Sequence, residues 1–256
     1  MNVKILVAAH KEYPMPSDLN LYLPIFVGAD NFQGSIPPHD QLDNQGKNIS
    51  KLNPFYNELT AQYWAWKNLK KVDAIGLAHY RRHFAVNGKK GLENVLTQEQ
   101  VESLLTRYDV ILPTKRKYYI ESNYDHYIHA HKKEPLDLAA EYIKDKYPNY
   151  VPALEEVFAA TSGHYFNMFI MKKEPFNDYS KWLFEILEAV YKKIDYSDYD
   201  DYEKRSLGFV SELLLDVWVK TNPVTYTEVP FVFEEKQDWL KKGSSFLLRK
   251  IKGDKK

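Results

Sequence analysis

The segment that decides the fold is VDAIGLAHYRRHF, residues 72–84. Its first part is apolar and predicts a strand buried on both faces, which is typical of the parallel sheets of α/β proteins. A run of polar side chains follows, four of them potential cations: His79, Tyr80, Arg81, Arg82 and His83. Because ligands of open α/β sheets bind beyond the carboxyl ends of the strands, this position predicts a binding site.

The two arginines favour a diphosphate ligand, since a guanidinium presents a fixed fork of donors that matches phosphate oxygens. If the strand continues, its alternation directs His79, Arg81 and His83 to one side and the other two residues to the opposite side. The alternative interpretation is that these side chains face solvent and one arginine pairs with a carboxylate. The sequence contains no GxxxxGK[ST] motif and no GxGxxG after a strand, which argues against a P-loop or a dinucleotide fold.

Short strands and helices alternate along most of the chain. Apolar runs at residues 3–9, 23–29 and 108–113 predict three further strands, and a fourth is expected near 164–176. Helices are predicted over 55–69 after Asn53-Pro54, over 97–107 with Thr97 as its cap, over 178–194 and over 206–222, and late strands over 224–235. This order predicts one α/β domain with a central mixed, mostly parallel sheet.

The composition limits the class of protein. A length of 256 residues suits one large domain, and 35 basic against 35 acidic residues argues against a nucleic-acid partner. The absence of cysteine excludes disulfides and thiolate metal sites. With no long apolar run and no signal peptide, the expected location is the cytoplasm.

The last residues, 236–256, differ from the rest of the chain. They have an excess of Lys and Arg over Asp, with apolar side chains such as Trp239 and Phe246 between the cations. Such a segment either rests on the anionic inner face of the cell membrane or is a solvated tail. We therefore predict a domain over 1–235 and a basic amphipathic tail over 236–256.

Two further strand exits are polar and basic. The first strand leads into His10, Lys11 and Tyr13, and the strand at 108–113 leads into KRKYY with Lys115. If the sheet is parallel, both lie at the same edge as the arginines of HYRR. The alternative for KRKYY is a basic surface loop.

Carboxylates and histidines further along offer other chemistry. Asp125 stands beside His126 in a histidine-rich segment, but no HExxH spacing occurs, so contacts to a substrate or a structural role are favoured over zinc. The acidic loop 198–203 either holds a hard cation or is solvated. Glu212 lies near the start of a predicted helix, where it either acts as a general base or only caps the helix.

Five segments in this order resemble a bacterial family found in capsular and exopolysaccharide gene clusters, long known only as a domain of unknown function. They are NPFYNELTAQYWAWKNL, AIGLAHYRRHF, DVILPTKRKYYIESNYDHY, GHYFNMFIM and LGFVSELLLDVW. Some members of that family are glycosyltransferases, including galactofuranosyltransferases. The resemblance implies a single GT-A-like nucleotide-diphospho-sugar transferase domain.

The resemblance also implies roles for the diphosphate and nucleotide contacts. Many relatives with this fold hold a metal through an Asp-x-Asp motif where this chain has AHYRR, so a Mg²⁺ or Mn²⁺ requirement is left open. The cations would instead neutralise the leaving group. The residues implied for the diphosphate are His79, Arg81, Arg82 and Lys115, and those for the nucleotide are His10, Lys11 and Tyr13.

For the transfer itself, the resemblance implies that Glu212 deprotonates the acceptor hydroxyl, with Asp125 as the second candidate. The side chains implied for the donor sugar and the acceptor are Tyr80, His126, His164 and Asn167.

The function predicted from these expectations is an inverting transfer of a sugar, such as galactofuranose, from a UDP-sugar to a lipid-linked or oligosaccharide acceptor. A non-catalytic carbohydrate- or nucleotide-binding protein of the same fold is the alternative, because the Asp-x-Asp motif is missing. A metal-dependent hydrolase that uses the acidic loop and the histidines is a third hypothesis.

Overall fold

The structure is a computed structural model that describes residues 1–38 and 40–233. The predicted basic tail over 236–256 lies outside the described residues. Within them the chain forms eleven strands: β1 (Val3–Ala9), β2 (Tyr22–Phe26), β3 (Gln41–Leu42), β4 (Ala74–His79), β5 (Arg82–Phe84), β6 (Val110–Pro113), β7 (Arg116–Lys117), β8 (Ser162–Gly163), β9 (Phe169–Lys172), β10 (Tyr226–Val229) and β11 (Phe231–Phe233).

Eight α-helices occur in the same described ranges. They are α1 (Asn53–Tyr56), α2 (Leu59–Asn68), α3 (Gln98–Leu105), α4 (Asn123–Ala130), α5 (Glu134–Lys146), α6 (Val151–Ala159), α7 (Lys173–Lys193) and α8 (Ser206–Thr221). The β1 strand has the predicted bounds, and Thr97 caps α3 through a capping box with Gln100, as predicted.

The main sheet has the strand order β10-β6-β9-β4-β1-β2-β3, with β5 and β11 attached beside β4. On this path β9 is antiparallel to both of its neighbours, while the other strands run in one direction. The predicted α/β class with a mixed, mostly parallel sheet is confirmed. β7 and β8 form a separate two-stranded ribbon.

The reversed strand β9 packs closely against β4 because β4 carries a glycine at the contact. An added Cβ on Gly76 would lie 2.9 Å from Ile170 Cγ1 and 3.1 Å from the carbonyl oxygen of Phe169. Real side chains do not tolerate such distances, so a residue with a Cβ here would push the two strands apart.

Helices cover both faces of the sheet, which makes a three-layer α/β domain. On β1, Leu6 packs into the larger apolar cluster, to which α2, α5, α6, α7 and α8 contribute side chains. Its neighbours Ile5 and Val7 pack into a second cluster that includes Val101 of α3. Each such fully buried side chain stabilises the fold by about 2 kcal/mol.

The helix predicted over 55–69 is broken in two. Asn57, between α1 and α2, has φ 50° and ψ −129°, a conformation outside the helical region that no helix can continue through. A positive φ is less rare for asparagine than for most other residues. The break directs Glu58 toward the sheet edge described below, where its carboxylate accepts a hydrogen bond from Asn167.

Among the described residues, no helix combines the length and the apolar character that crossing a bilayer requires.

Candidate active site

The chain reverses direction at the end of β4. Tyr80 and Arg81 form a two-residue turn, and His79 pairs with Arg82 across the antiparallel β4–β5 hairpin. The strand does not continue past His79, so the alternation expected for a continuous strand through His83 does not apply. Because directly paired residues on antiparallel strands project to the same face, the hairpin places His79 and Arg82 together. His83 lies fully buried against Tyr22 instead.

The segment before β9 meets this hairpin because β9 runs against its neighbours and so begins where they end. Phe166 and Asn167 both have left-handed backbone conformations, with φ 74° and 52°. The carbonyl oxygen of Phe166 accepts a hydrogen bond from His79 Nε2 at 2.5 Å. The guanidinium of Arg82 lies 4.3 Å from the centroid of the Phe166 ring, a cation–π contact.

Asn167 connects three segments of the chain. Its Nδ2 donates to Glu58 Oε1 at 2.7 Å and to the carbonyl oxygen of Gly208 at 3.0 Å. Its Oδ1 accepts from Ser211 Oγ at 2.7 Å. All its side-chain polar atoms are thus engaged with protein, so this buried amide fixes Glu58 and the start of α8 in place.

Glu212 lies at a small cavity of about 50 Å³, room for a few waters or a single hydroxyl-bearing group. It stands more than one turn into α8, too far from the helix start for either the dipole effect or a capping role. Burial raises its pKa to about 8. The side chains around the cavity are Tyr118, Asn123, His126, Tyr127, His131, Tyr165, Phe209 and Leu213.

Charges of both signs surround Glu212. The Glu58 carboxylate raises the pKa of Glu212 further, while Arg82, the backbone N–H of Phe166 and Arg116 oppose the increase. Burial and the neighbouring Arg81 lower the pKa of Arg82. The group stays charged, because the ordinary pKa of a guanidinium is far above neutrality. The site therefore combines two carboxylates with a cluster of guanidinium groups.

His79 contributes a hydrogen bond rather than a charge. Burial lowers its pKa, and this effect is larger than the opposing attraction of Glu58, whose Oε1 lies 3.9 Å from His79 Nε2. The imidazole is therefore neutral at pH 7.

The cation that KRKYY brings to the site is Arg116 rather than the predicted Lys115. Arg116 is an electrostatic neighbour of both Glu212 and Arg82, and its guanidinium lies 5.1 Å from the Tyr118 ring centroid. The backbone N–H of Lys115 donates to Glu228 at the edge of the sheet. The sequence signal that could have indicated Arg116 is Tyr118, two positions later, whose aromatic ring offers a cation–π partner.

His126, which was predicted to contact the donor sugar or the acceptor, lines the cavity. Its ring stacks on Tyr118 with centroids 3.6 Å apart, and its Nδ1 lies 3.4 Å from Glu121 Oε2. Burial lowers the pKa of His126 despite this carboxylate. The stacked pair forms an aromatic wall beside Glu212.

Asp125 and His164 are among the predicted residues that do not line the cavity. Asp125 is exposed on α4, where its carboxylate accepts from Ser122 Oγ at the helix start. His164 is buried, and it contacts Asp216 of α8 through Nδ1 and approaches Glu228 Oε1 to 3.3 Å through Nε2. His164 thus joins α8 to the edge strand β10.

The first strand exit forms an aromatic and cationic group beside the hairpin. The Tyr80 ring contacts His10 at 5.3 Å and Tyr13 at 4.4 Å between centroids. Lys11 Nζ lies 5.6 Å from both tyrosine rings, and the Arg81 guanidinium lies 5.0 Å from Tyr80. The predicted nucleotide contacts and the hairpin turn are therefore neighbours.

In the part of the chain that the structure describes, no group of three or more His, Asp or Glu side chains is arranged to hold a metal ion. In the acidic loop 198–203, Asp200 accepts hydrogen bonds from the backbone N–H groups of Tyr202 and Glu203. This carboxylate stabilises a turn.

The fold and this cleft together define a GT-A-like α/β domain, as the sequence predicted. The chain matches the apo structure of WbbM, a bifunctional glycosyltransferase, with a TM-score of 0.83 and 30% sequence identity. The match covers 92% of this chain and 46% of the WbbM chain, so this chain spans about half the length of that protein.

The chain belongs to the DUF4422 family, described as a domain of unknown function, whose profile matches residues 4–223. The resemblance read from the sequence is confirmed by this match. No curated protein sequence matches the chain.

Proposed function

We propose that this protein is a glycosyltransferase that moves a sugar from a UDP-sugar to a hydroxyl of a glycan acceptor, with Glu212 as the general base. The observation that carries the proposal is the position of Glu212: it faces a small cavity, has a pKa near 8, and shares its surroundings with Arg82 and Arg116. The similarity to a bifunctional glycosyltransferase supports the same class of reaction.

In the proposed reaction the acceptor hydroxyl enters the cavity and loses its proton to Glu212. The acceptor oxygen then bonds to the anomeric carbon of the donor while the bond from that carbon to the UDP oxygen breaks, and UDP leaves with the electron pair. A base works best when its pKa lies near the working pH, so a value of about 8 suits a weakly acidic hydroxyl. This single displacement inverts the anomeric configuration.

Negative charge develops on the diphosphate as UDP leaves. Arg82 and Arg116 are placed to neutralise it, and Arg81 lies on the adjacent turn. Arg82 is half-buried and Arg116 is exposed at the edge of the site. A guanidinium held in place beforehand stabilises such charge without reorganising during the reaction. This is the chemistry that a metal held by an Asp-x-Asp motif supplies in other enzymes, and any Mg²⁺ or Mn²⁺ would be bound chiefly by the diphosphate.

The nucleotide is proposed to occupy the first strand exit. Tyr13, which is half-buried and packs on the buried ring of Tyr80, offers a ring for the base, and the exposed Lys11 and His10 lie beside it. The proposal has four further parts: the donor is UDP-galactofuranose, the acceptor is lipid-linked, the product belongs to a capsular polysaccharide or exopolysaccharide, and the enzyme acts at the inner face of the membrane. Their support is the family resemblance.

The test is a release assay with a panel of UDP-sugars, each with and without a glycan acceptor and with and without Mn²⁺. We expect one donor to yield UDP at a rate that the acceptor raises and that increases with pH up to about 8. Thermal unfolding with the same panel measures donor binding separately, because a ligand of the native state raises its stability.

A donor that stabilises the protein but yields neither UDP nor a glycosylated product would indicate the non-catalytic binding protein instead. Release of free sugar with no transfer to any acceptor, abolished by a chelator, would indicate the hydrolase.

A further inference from the structure

Two adjacent apolar side chains stand out from the surface beside the cavity. Tyr119 and Ile120 are 83% and 80% exposed, whereas the next most exposed large apolar side chain among the described residues, Leu19, is 54% exposed. Leaving both in water forfeits the stabilisation that burial would give, about 25 cal/mol per Å² of apolar surface. Such adjacent exposure points to an interaction surface.

The backbone holds this pair outward. Tyr119 has φ 62°, an unfavourable conformation for a bulky residue, and the N–H of Ile120 donates to the carbonyl oxygen of Tyr118 at 2.7 Å across it. The N–H of Tyr118 donates to Thr161 on one side, and Ser122 caps α4 on the other. The tip is therefore a tight three-residue turn between two anchored ends.

Cations precede the tip directly. Lys117, in β7, is exposed, and Lys115, which precedes β7, is half-buried. Because successive side chains of a strand point to opposite faces, Arg116 projects away from Lys117, toward Arg82 and Glu212. The two lysines remain beside the apolar tip and have no part in the proposed catalysis.

We propose that residues 115–120 dock on an anionic lipid surface, with Tyr119 and Ile120 at the tip entering the headgroup region and Lys115 and Lys117 meeting lipid phosphates. An aromatic side chain, an aliphatic side chain and flanking lysines are the combination that binds at membrane interfaces. The residues of this surface are not those of the basic tail over 236–256, which lies outside the described residues and for which the sequence left membrane contact and a solvated tail open.

The tip lies beside the cavity at Glu212, which links it to acceptor binding. This link rests on the proposed function. Tyr118 lines the cavity at Glu212, and the next two residues are the tip. A lipid surface in contact with the tip would therefore lie beside the entrance of the cavity. An acceptor carried on a lipid would reach Glu212 from the membrane without leaving it.

The absence of cysteine from the sequence allows a direct test in the full chain. Ile120→Cys is labelled with an environment-sensitive fluorophore and mixed with phosphatidylcholine vesicles, with and without phosphatidylglycerol. We expect a blue shift only with the anionic vesicles. Leu19→Cys with the same label is the matched control, and we expect no shift there. No donor is present, so the outcome does not depend on the glycosyltransferase proposal.

Vesicle sedimentation provides the second measurement. Lys117→Gln is expected to lower the partition coefficient about fivefold, since each cation near an anionic surface contributes about 1 kcal/mol. The double variant Tyr119→Ser/Ile120→Ser is expected to lower it at least as much. Transfer to a water-soluble acceptor is expected to stay unchanged in both variants, and unchanged melting temperatures would show that they are folded.

Equal fluorescence responses at positions 19 and 120 would overturn the proposal, as would vesicle binding that the double variant leaves intact. A blue shift at position 120 that a UDP-sugar produces without vesicles would also overturn it, because the tip would then be a cover over the bound donor.

Discussion

Two carboxylates at the same edge of the sheet have very different surroundings. Asp43 is fully buried and accepts hydrogen bonds from the backbone N–H groups of Gly28 and Ala29 and from the hydroxyls of Ser50 and Thr60. Glu212 faces a cavity, has a second carboxylate nearby, and has a pKa raised to about 8.

The comparison distinguishes a carboxylate that stabilises the fold, Asp43, from one that is suited to chemistry, Glu212. The four donors around Asp43 satisfy the hydrogen-bonding capacity of the carboxylate and join the loop after β2 to α2. This carboxylate therefore stabilises the fold. The surroundings of Glu212 leave the carboxylate basic and open to a ligand, a combination typical of functional sites. Substitutions at the two positions should therefore affect different properties of the protein.

The largest expected effect is on catalysis. Glu212→Gln removes the base and keeps the shape, so we expect kcat/KM for transfer to fall by about 10³-fold, which corresponds to roughly 4 kcal/mol. Asp125→Asn is the matched control, because that carboxylate is exposed and only accepts a hydrogen bond from Ser122 Oγ at the start of α4. Initial rates of UDP release with acceptor measure both. A larger loss of activity in the Asp125 variant would show that Asp125, and not Glu212, is the general base.

The next effect is on stability. Asp43→Ala leaves two backbone N–H groups and two hydroxyls without their acceptor, so we expect the free energy of unfolding to fall by roughly 3 kcal/mol. Asp145→Ala, at an exposed ion pair, should change it by less than about 0.5 kcal/mol. Urea unfolding followed by circular dichroism measures the difference. Equal values for the two variants would show that the network around Asp43 contributes little.

A somewhat smaller effect is expected at the guanidinium groups. Arg82→Gln should lower the transfer rate by about 10²-fold, since it removes one fixed charge from the leaving group. Arg107→Gln is the control, because Arg107 is exposed at the opposite edge of the sheet. If donor hydrolysis and transfer proceed at the full rate in the Arg82 variant, the proposed role of this arginine is wrong.

The effect of a single pH unit is the smallest, and its measurement needs no substrate. Unfolding releases the proton of Glu212 between its ordinary pKa of 4.5 and its folded value of about 8. The folded state thus binds more protons in this window, and stability falls as pH rises, by up to about 1.4 kcal/mol per pH unit.

Glu212→Gln removes this dependence, so its stability relative to the wild type should increase from pH 5 to pH 8. Urea unfolding of both proteins at several pH values gives the difference. A constant difference across the window would show that the pKa of Glu212 is ordinary.

The sequence predicted correctly the bounds of elements whose signals lie within a few neighbouring residues. The bounds of β1 followed from its uninterrupted apolar run, and the capping box at Thr97 fixed the start of α3. The position of Glu212 in the cleft was also expected, through the family resemblance.

The rest depends on contacts between distant parts of the chain. The β4–β5 hairpin is stabilised by pairing with β11, some 150 residues away, and so could not be read from HYRR alone. The left-handed conformations of Phe166 and Asn167 exist because His79 and Glu58 hold them. Glu58 itself was missed, since its direction follows from the helix break at Asn57.

The reversed direction of β9 has a practical consequence for handling the protein. It gathers the proposed site residues at the carboxyl edge of the sheet, while Met1, through an ion pair between its ammonium group and Glu102, is fixed at the opposite edge. A surface or a label coupled through the first residue would therefore leave the cavity and the exposed tip facing solution. Immobilised in that orientation, the protein could be supplied with nucleotide sugars and vesicles in turn on a single sensor.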